Sequence, residues 1–351
     1  MSKEKGGRIL YLSRLKALAC IAVVVLHSFY AANAYAKTSA QHAVMLSVRN
    51  ACMWAVPCFV MATGALLLDS RRELGYKKLF LKLILKMAAA LVIFTFLFAL
   101  FDAVFIAEKV TADIFTVTKD NILYGTGWRH MWYLYLMIAL YLMMPLYKAV
   151  TAKNDKSLVI YACIVFFAFL SLRPMLETLA GRQTAFYICA YSIYPLFVFM
   201  GYMLHGRLVK LPLWVYLACA AIGLTGVVIL TVKGIGNEDK TLDQLLGSYS
   251  FPLTVLMSAG IFGAFTFCKN ERIPVIDTVS AELEKCSFGI YLLHMAVLKY
   301  IFAVMRINPF EKGGVITVII IALVSLVISY AAVRLFKLIP FKLIFKGSKQ
   351  E

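Results

Sequence analysis

Long apolar runs, each bounded by short polar or basic stretches, recur from one end of the chain to the other and leave few folds open. Runs long enough to cross or nearly cross a hydrocarbon core begin near Leu15, Val44, Leu79, Met131, Leu158, Phe186, Leu211, Phe251, Phe288 and Val315. The Leu158 run is the shortest of them. In hydrocarbon every backbone N–H and C=O must find its partner within the protein, so each run is expected to be a helix. The fold class is therefore all-α, a polytopic membrane bundle of about ten transmembrane helices. Hydrophobic residues make up 62% of the 351, which excludes a water-soluble domain. The basic opening MSKEKGGR precedes an apolar run with no small-residue cleavage pattern behind it, so the first run is read as a retained span.

A net charge of +18 raises the question of nucleic acid, but the bases sit in short runs between apolar segments rather than in a stripe interleaved with aromatics. No nucleic-acid partner is expected; the bases face anionic membrane lipid and fix topology. An even number of spans puts both ends of the chain on one side. Assigning them to the cytoplasm collects there roughly 24 of the 36 lysines and arginines, among them Lys3, Lys5, Arg8, Arg71, Arg72, Lys77, Lys78, Lys342 and Lys346. The termini are expected to be cytoplasmic. The longest outward loops fall at Ala103 to Trp128 and Lys233 to Tyr249, the longest inward one at Lys269 to Lys285, and none could hold a separate domain. A single membrane domain over 1–351 follows, and its chemistry belongs inside the bundle or at its mouths.

The 18 acidic residues fall in loops or at span ends, with Asp69 and Asp102 nearest to membrane depth. A cation-coupled carrier keeps a carboxylate inside its bundle, so this distribution weighs against transport, and it removes chemistry that needs a buried carboxylate pair. Eight cysteines without a CxxC pair argue for small core residues rather than a metal cluster, and no metal is expected. Histidine is what remains in the membrane interior. In LSRLKALACIAVVVLHSFY, Lys16 and His27 lie eleven residues apart, about 16.5 Å along a regular helix and within about 20° of one face. Such a stripe suits an elongated ligand with an anionic head and a reactive tail. Lys16 also fits a lysine snorkelling to the headgroups, and His27 a residue bonded to a neighbouring helix. His42 and His205 lie in or near loops.

Four ordered blocks carry a family resemblance. SRLKALACIAVVVLH, with Lys16 and His27, resembles the basic-x10-His signature of the acyltransferase-3 family of membrane acyltransferases. VPCFVMATGALL, with Pro57, Phe59, Thr63 and Gly64, is similar to that family's second-span pattern. RHMWYLYLMIALYLMMPL resembles its His-aromatic-aromatic-Leu segment through His130, Trp132, Tyr133, Tyr141 and Pro145, and CSFGIYLLH its late segment ending at His294. The blocks span nearly the whole chain and look like a short, single-domain member. Two departures stand out. Ser13 occupies the place of an Asp common before the basic residue of the first motif, and an Arg-x-x-Arg of the first cytoplasmic loop is absent.

The resemblance implies transfer of an acyl group, in the simplest case acetyl, from cytoplasmic acyl-coenzyme A to a hydroxyl of a glycan or lipid-linked sugar of the cell envelope, at the cell membrane. Lys16 with Arg71, Arg72, Lys77, Lys78 and Lys82 would meet the donor's phosphates. His27 would act as general base, or alternatively carry the acyl group, and His294 would be a second catalytic imidazole or a packed core residue. Arg129, His130, Trp132 and Tyr133 would bind the acceptor, although an aromatic belt at the interface explains the same rings and is the reading for Tyr135. Pro57 and Gly64 are expected to bend and pack the second helix. A transporter or flippase for a small polar solute or lipid-linked sugar is the competing class, and oligomeric state is left open.

Overall fold

The computed structural model describes residues 9–69, 74–111, 113–152, 155–186, 188–236, 240–268 and 272–336. The expectations placed on Lys3, Lys5, Arg8, Arg71, Arg72, Lys342 and Lys346 lie outside them. Among the described residues every regular element is helical, and the protein is an all-α polytopic membrane bundle. Among the described residues, eight helical stretches are long and apolar enough to cross a membrane: Leu10–Tyr35, Ser39–Leu67, Tyr76–Phe105, Arg129–Thr151, Lys156–Ala180, Leu213–Gly236, Pro274–Val304 and Val315–Phe336. The runs at Phe186 and Phe251 instead give the shorter helices Tyr194–His205 and Pro252–Phe265. The first of these starts eight residues later than the run because Pro195, with no N–H to donate, opens the helix and leaves Phe186 in irregular chain.

Three stretches hold more helix than the sequence reading gave them. The Leu158 run forms one of the long stretches, 25 residues from Lys156 to Ala180. It starts where Asp155 accepts from the N–H groups of Ser157 and Leu158 at 2.9 and 3.2 Å. It continues past Pro174 because the turn before it, Ala168–Leu172, widens to π geometry and absorbs the missing hydrogen bond. Two of the stretches expected as outward loops carry helices of their own, Ile114–Tyr124 and Lys240–Leu246. The supposed inward loop is helical from Pro274 onward: Pro274 opens the helix, and Asp277 accepts from the N–H of Ile273 at 3.0 Å across its first turn.

The last helix shows what solvent the surface is built for. Val318, Ile321, Ala322, Ser325, Ser329 and Val333 are buried at spacings of three and four residues, while Ile316, Ile320, Leu323 and Val327 are more than half exposed. The small or hydroxylated residues Ala322, Ser325 and Ser329 point inward beside Val318, Ile321 and Val333, while the exposed face is apolar. This inverts the soluble pattern and is what a lipid-facing helix requires.

The helices gather into two compact units, one built from residues 1–72 and 147–284 with 350–351, the other from 73–146 and 285–349. In the first, Pro57 would drive its ring into the carbonyl of Met53 within one continuous helix. The chain instead breaks into a turn at Cys52–Trp54 between helices Ser39–Ala51 and Ala55–Leu67. Ala55–Leu67 then crosses Tyr194–His205 with reciprocal glycines. A β-carbon on Gly64 would fall inside the carbonyl of Val198, and one on Gly201 inside the carbonyl of Met61. Asn50 adds a buried tie, donating to Thr231 at 2.9 Å.

Candidate functional site

The first helix runs without interruption from Leu10 to Ala32, so Lys16 and His27 do share one face, with buried Cys20 and Val23 between them. His27 is half-buried. The N-terminal third of this helix is polar on the side facing the start of the Pro274–Lys299 helix. Arg14 donates to Asp277 at 2.7 Å, Lys16 donates to Glu284 at 3.1 Å, and the Ser13 hydroxyl donates to the other oxygen of Glu284. Tyr11, fully buried, hydrogen-bonds Nδ1 of His205 at 2.5 Å. All of these belong to the first unit.

Glu284 and Asp277 were not singled out by sequence, because the charged stretch around them reads as a loop. Their placement gives the Ser13 departure a physical meaning. An Asp at position 13 would face Lys16 one turn away and pair with it directly. Here Ser13 holds a carboxylate from another helix in that place. Both carboxylates are mostly shielded, with 16% and 14% of their side chains exposed, so each pair is a charge-assisted contact rather than a solvated surface one.

A second constellation lies wholly in the other unit, around His130 and His294. His294 is fully buried, and its Nδ1 lies 2.9 Å from the carbonyl of Ile290 one turn back. A carbonyl only accepts, so Nδ1 carries the hydrogen and Nε2 keeps its lone pair. Ser325 donates to the His294 carbonyl at 3.1 Å. His130, 2% exposed, packs edge to face against His294 at 5.8 Å between ring centroids and against Tyr291 at 5.6 Å. The Tyr291 hydroxyl donates to the His130 carbonyl. Tyr133 meets Tyr291 at 5.2 Å and Trp132 at 6.1 Å.

The structure thus brings His130, Tyr133 and His294 together around Tyr291, a residue of the CSFGIYLLH block that its i, i+3 spacing from His294 places on the same face. Trp132 forms the edge of that group and is 36% exposed; Arg129 is exposed on the turn before it. Tyr135 does not join them, donating instead to the carbonyl of Ile122 at 2.8 Å, at the end of the Ile114–Tyr124 helix. Lys77, Lys78 and Lys82 are exposed at the start of the Tyr76–Phe105 stretch, where the backbone passes through a π-helical segment at Leu79–Ile84. Lys148 donates to the carbonyls of Leu67 and Asp69 at 3.1 and 3.0 Å; Arg71 and Arg72 lie outside the described residues.

Imidazoles fixed by a backbone carbonyl, as at buried His294, or by a hydroxyl, as at His205, have the chemistry for proton transfer. No curated protein and no solved structure matches the chain. The acyltransferase-3 profile, described as an acyltransferase domain, matches residues 9–334, nearly the whole length, and the protein belongs to the acyltransferase-3 family of membrane acyltransferases.

Proposed function

We propose that the protein is an O-acyltransferase that moves an acyl group, in the simplest case acetyl, from acyl-coenzyme A to a hydroxyl of a cell-envelope sugar or lipid-linked sugar precursor. The observation that carries this reading is the unbroken first helix, which sets a cation and an imidazole on one face in a chain of an acyltransferase family. His27 serves as general base. It takes the proton of the acceptor hydroxyl as the oxygen attacks the thioester carbonyl; the C–S bond then breaks, and the imidazolium returns the proton to the coenzyme A thiolate.

Lys16 contacts a donor phosphate in this scheme, with Lys77, Lys78, Lys82, Arg71 and Arg72 as further donor cations and the cytoplasm as the side of entry. Because Lys16 sits against Glu284, a phosphate reaches it by exchanging with or joining a carboxylate. His294 is proposed as a second catalytic imidazole, and Arg129, His130, Trp132 and Tyr133 as acceptor-binding residues.

Purified protein in detergent is expected to bind acetyl-coenzyme A and to release free thiol from it. A chain that binds no coenzyme A at any concentration up to millimolar is not this enzyme. Lys16→Ala should raise KM for acetyl-coenzyme A about tenfold while changing kcat little, the signature of a lost binding contact. An unchanged KM would remove Lys16 from the donor site. Mass spectrometry of envelope glycans from cells with and without the gene identifies the acceptor as the species that loses its acyl mass.

A further inference from the structure

Asp102 is, with Asp69, one of the two acidic residues nearest to membrane depth in sequence, and no step of the proposed reaction uses it. It lies near the end of the Leu85–Phe105 helix, and both of its oxygens are engaged. Oδ2 accepts from the indole N–H of Trp128 at 2.8 Å and Oδ1 from the ammonium of Lys299 at 2.5 Å. The same ammonium lies 4.5 Å from the centroid of the Trp128 ring, and Phe98 stacks on that ring at 4.2 Å with planes 4° apart. Phe101 closes the edge at 5.4 Å. With an aromatic face against it, a cation over it and its N–H bonded, Trp128 is an anchored side chain rather than a platform for a sugar.

What this anchor holds is the segment next to it. Trp128 is extended, with φ −60° and ψ 127°, and leads into the tight turn Arg129–Met131. His130 is the middle residue of that turn. Its carbonyl accepts from the Tyr291 hydroxyl, and its ring lies 5.3 Å from Phe98 and 5.8 Å from His294. Two residues from the imidazole, the backbone is thus tethered to a carboxylate that bridges two helices.

We infer that Asp102 is a positioning residue: by binding Trp128 and Lys299 together it fixes the Trp128–Met131 turn and keeps the His130 imidazole against His294. The functional consequence rests on the reading of His130 and His294 as part of the reacting centre; the positioning itself does not. An Asp–Lys pair with about a third of each side chain exposed adds little stability, so its worth lies in the indole bond and the geometry that bond sets.

The test uses full-length protein in detergent with isotope-labelled histidine, each imidazole assigned by its own His→Gln variant. Asp102→Ala is expected to displace the His130 and His294 ring resonances while those of His42 and His205 stay in place. Asp102→Asn keeps an acceptor for the indole N–H and should displace them less. Trp128→Phe removes the donor but keeps a ring, and should reproduce Asp102→Ala should that variant fail to fold. Acetyl-coenzyme A turnover in Asp102→Ala should fall about tenfold or more in kcat, with KM for the donor within about twofold. Unmoved His130 resonances in a folded Asp102→Ala or Trp128→Phe protein overturn the inference. Displaced resonances with no thioester turnover even in the wild-type chain would leave the positioning standing and sink the acyltransferase reading of the site.

Discussion

His27→Ala is expected to abolish acyl transfer, with turnover falling about a hundredfold or more, while the protein should still elute as a folded species and still bind acetyl-coenzyme A. The size follows from the role: a positioned base commonly contributes between about a hundredfold and ten-thousandfold, because without it the acceptor hydroxyl must attack carrying its proton. Half-burial of the ring makes the fold tolerant, since truncation leaves no sealed cavity. His27→Gln, which keeps a polar group of similar reach but no base near neutral pH, should be as inactive as the alanine variant. Rescue by glutamine would make His27 a hydrogen-bonding residue, and unchanged turnover in either variant would remove it from the chemistry. Rapid quenching without acceptor separates the two covalent histories: acyl label retained on wild-type protein and absent from His27→Ala indicates an acyl-histidine, and no label in either indicates direct transfer.

The Lys16 and His27 stripe was legible in sequence because helical geometry alone fixes it once a span is recognised. Glu284 was not. Charges at 277, 282, 284 and 285 look like an inward loop, yet the stretch has no glycine or proline after Pro274 until Gly289, and Ala281, Glu282, Leu283 and Glu284 are all good helix formers. Hydropathy reads solvent preference, and here it masked helical propensity. The Leu158 span reads as the shortest because Pro174 looks like its end, where a π turn in fact carries the helix on to Ala180. The Asp102, Trp128 and Lys299 group escapes a sequence reading because its members lie 26 and 197 residues apart in pairing. Local rules find elements and faces, while partners set by tertiary packing carry no spacing to read.

Position 13 joins these two lessons. The family pattern places an acid one turn before the cation, and this chain places a serine there and draws Glu284 from a distant helix to the same cation. The charge balance at Lys16 is kept while its anchor changes from the same helix to a neighbouring one. A donor phosphate arriving at Lys16, as proposed, would therefore disturb a contact between two helices rather than a local pair, and Glu284→Gln should sharpen donor affinity if exchange with the carboxylate is part of binding. Calorimetric titration with coenzyme A alone reads this: an unchanged Kd would mean that phosphate does not compete with Glu284.

Gly64→Val should prevent the protein from folding, and Gly201→Val should do the same by the mirror-image clash. At each position the obstacle is a backbone carbonyl of the crossing helix, Val198 in one case and Met61 in the other, and a backbone in a packed helix cannot swing aside as a side chain can. Separating the helices enough to admit a side chain would break the tight crossing along its length, at a cost of about 3 kcal/mol or more. Gly64→Ala introduces the same first carbon and should already lower the melting temperature. Gly236→Ala, at an exposed helix end where a β-carbon meets nothing within 4 Å, is the control and should change stability by less than about 0.5 kcal/mol. Fluorescence-detected size exclusion and thermal melting in detergent separate the outcomes. A folded but inactive Gly64→Val protein would make this glycine a substrate contact, whereas aggregation of both valine variants, with acetyl-coenzyme A turnover intact in the control, assigns the second-span Thr-Gly pattern to the crossing of two helices.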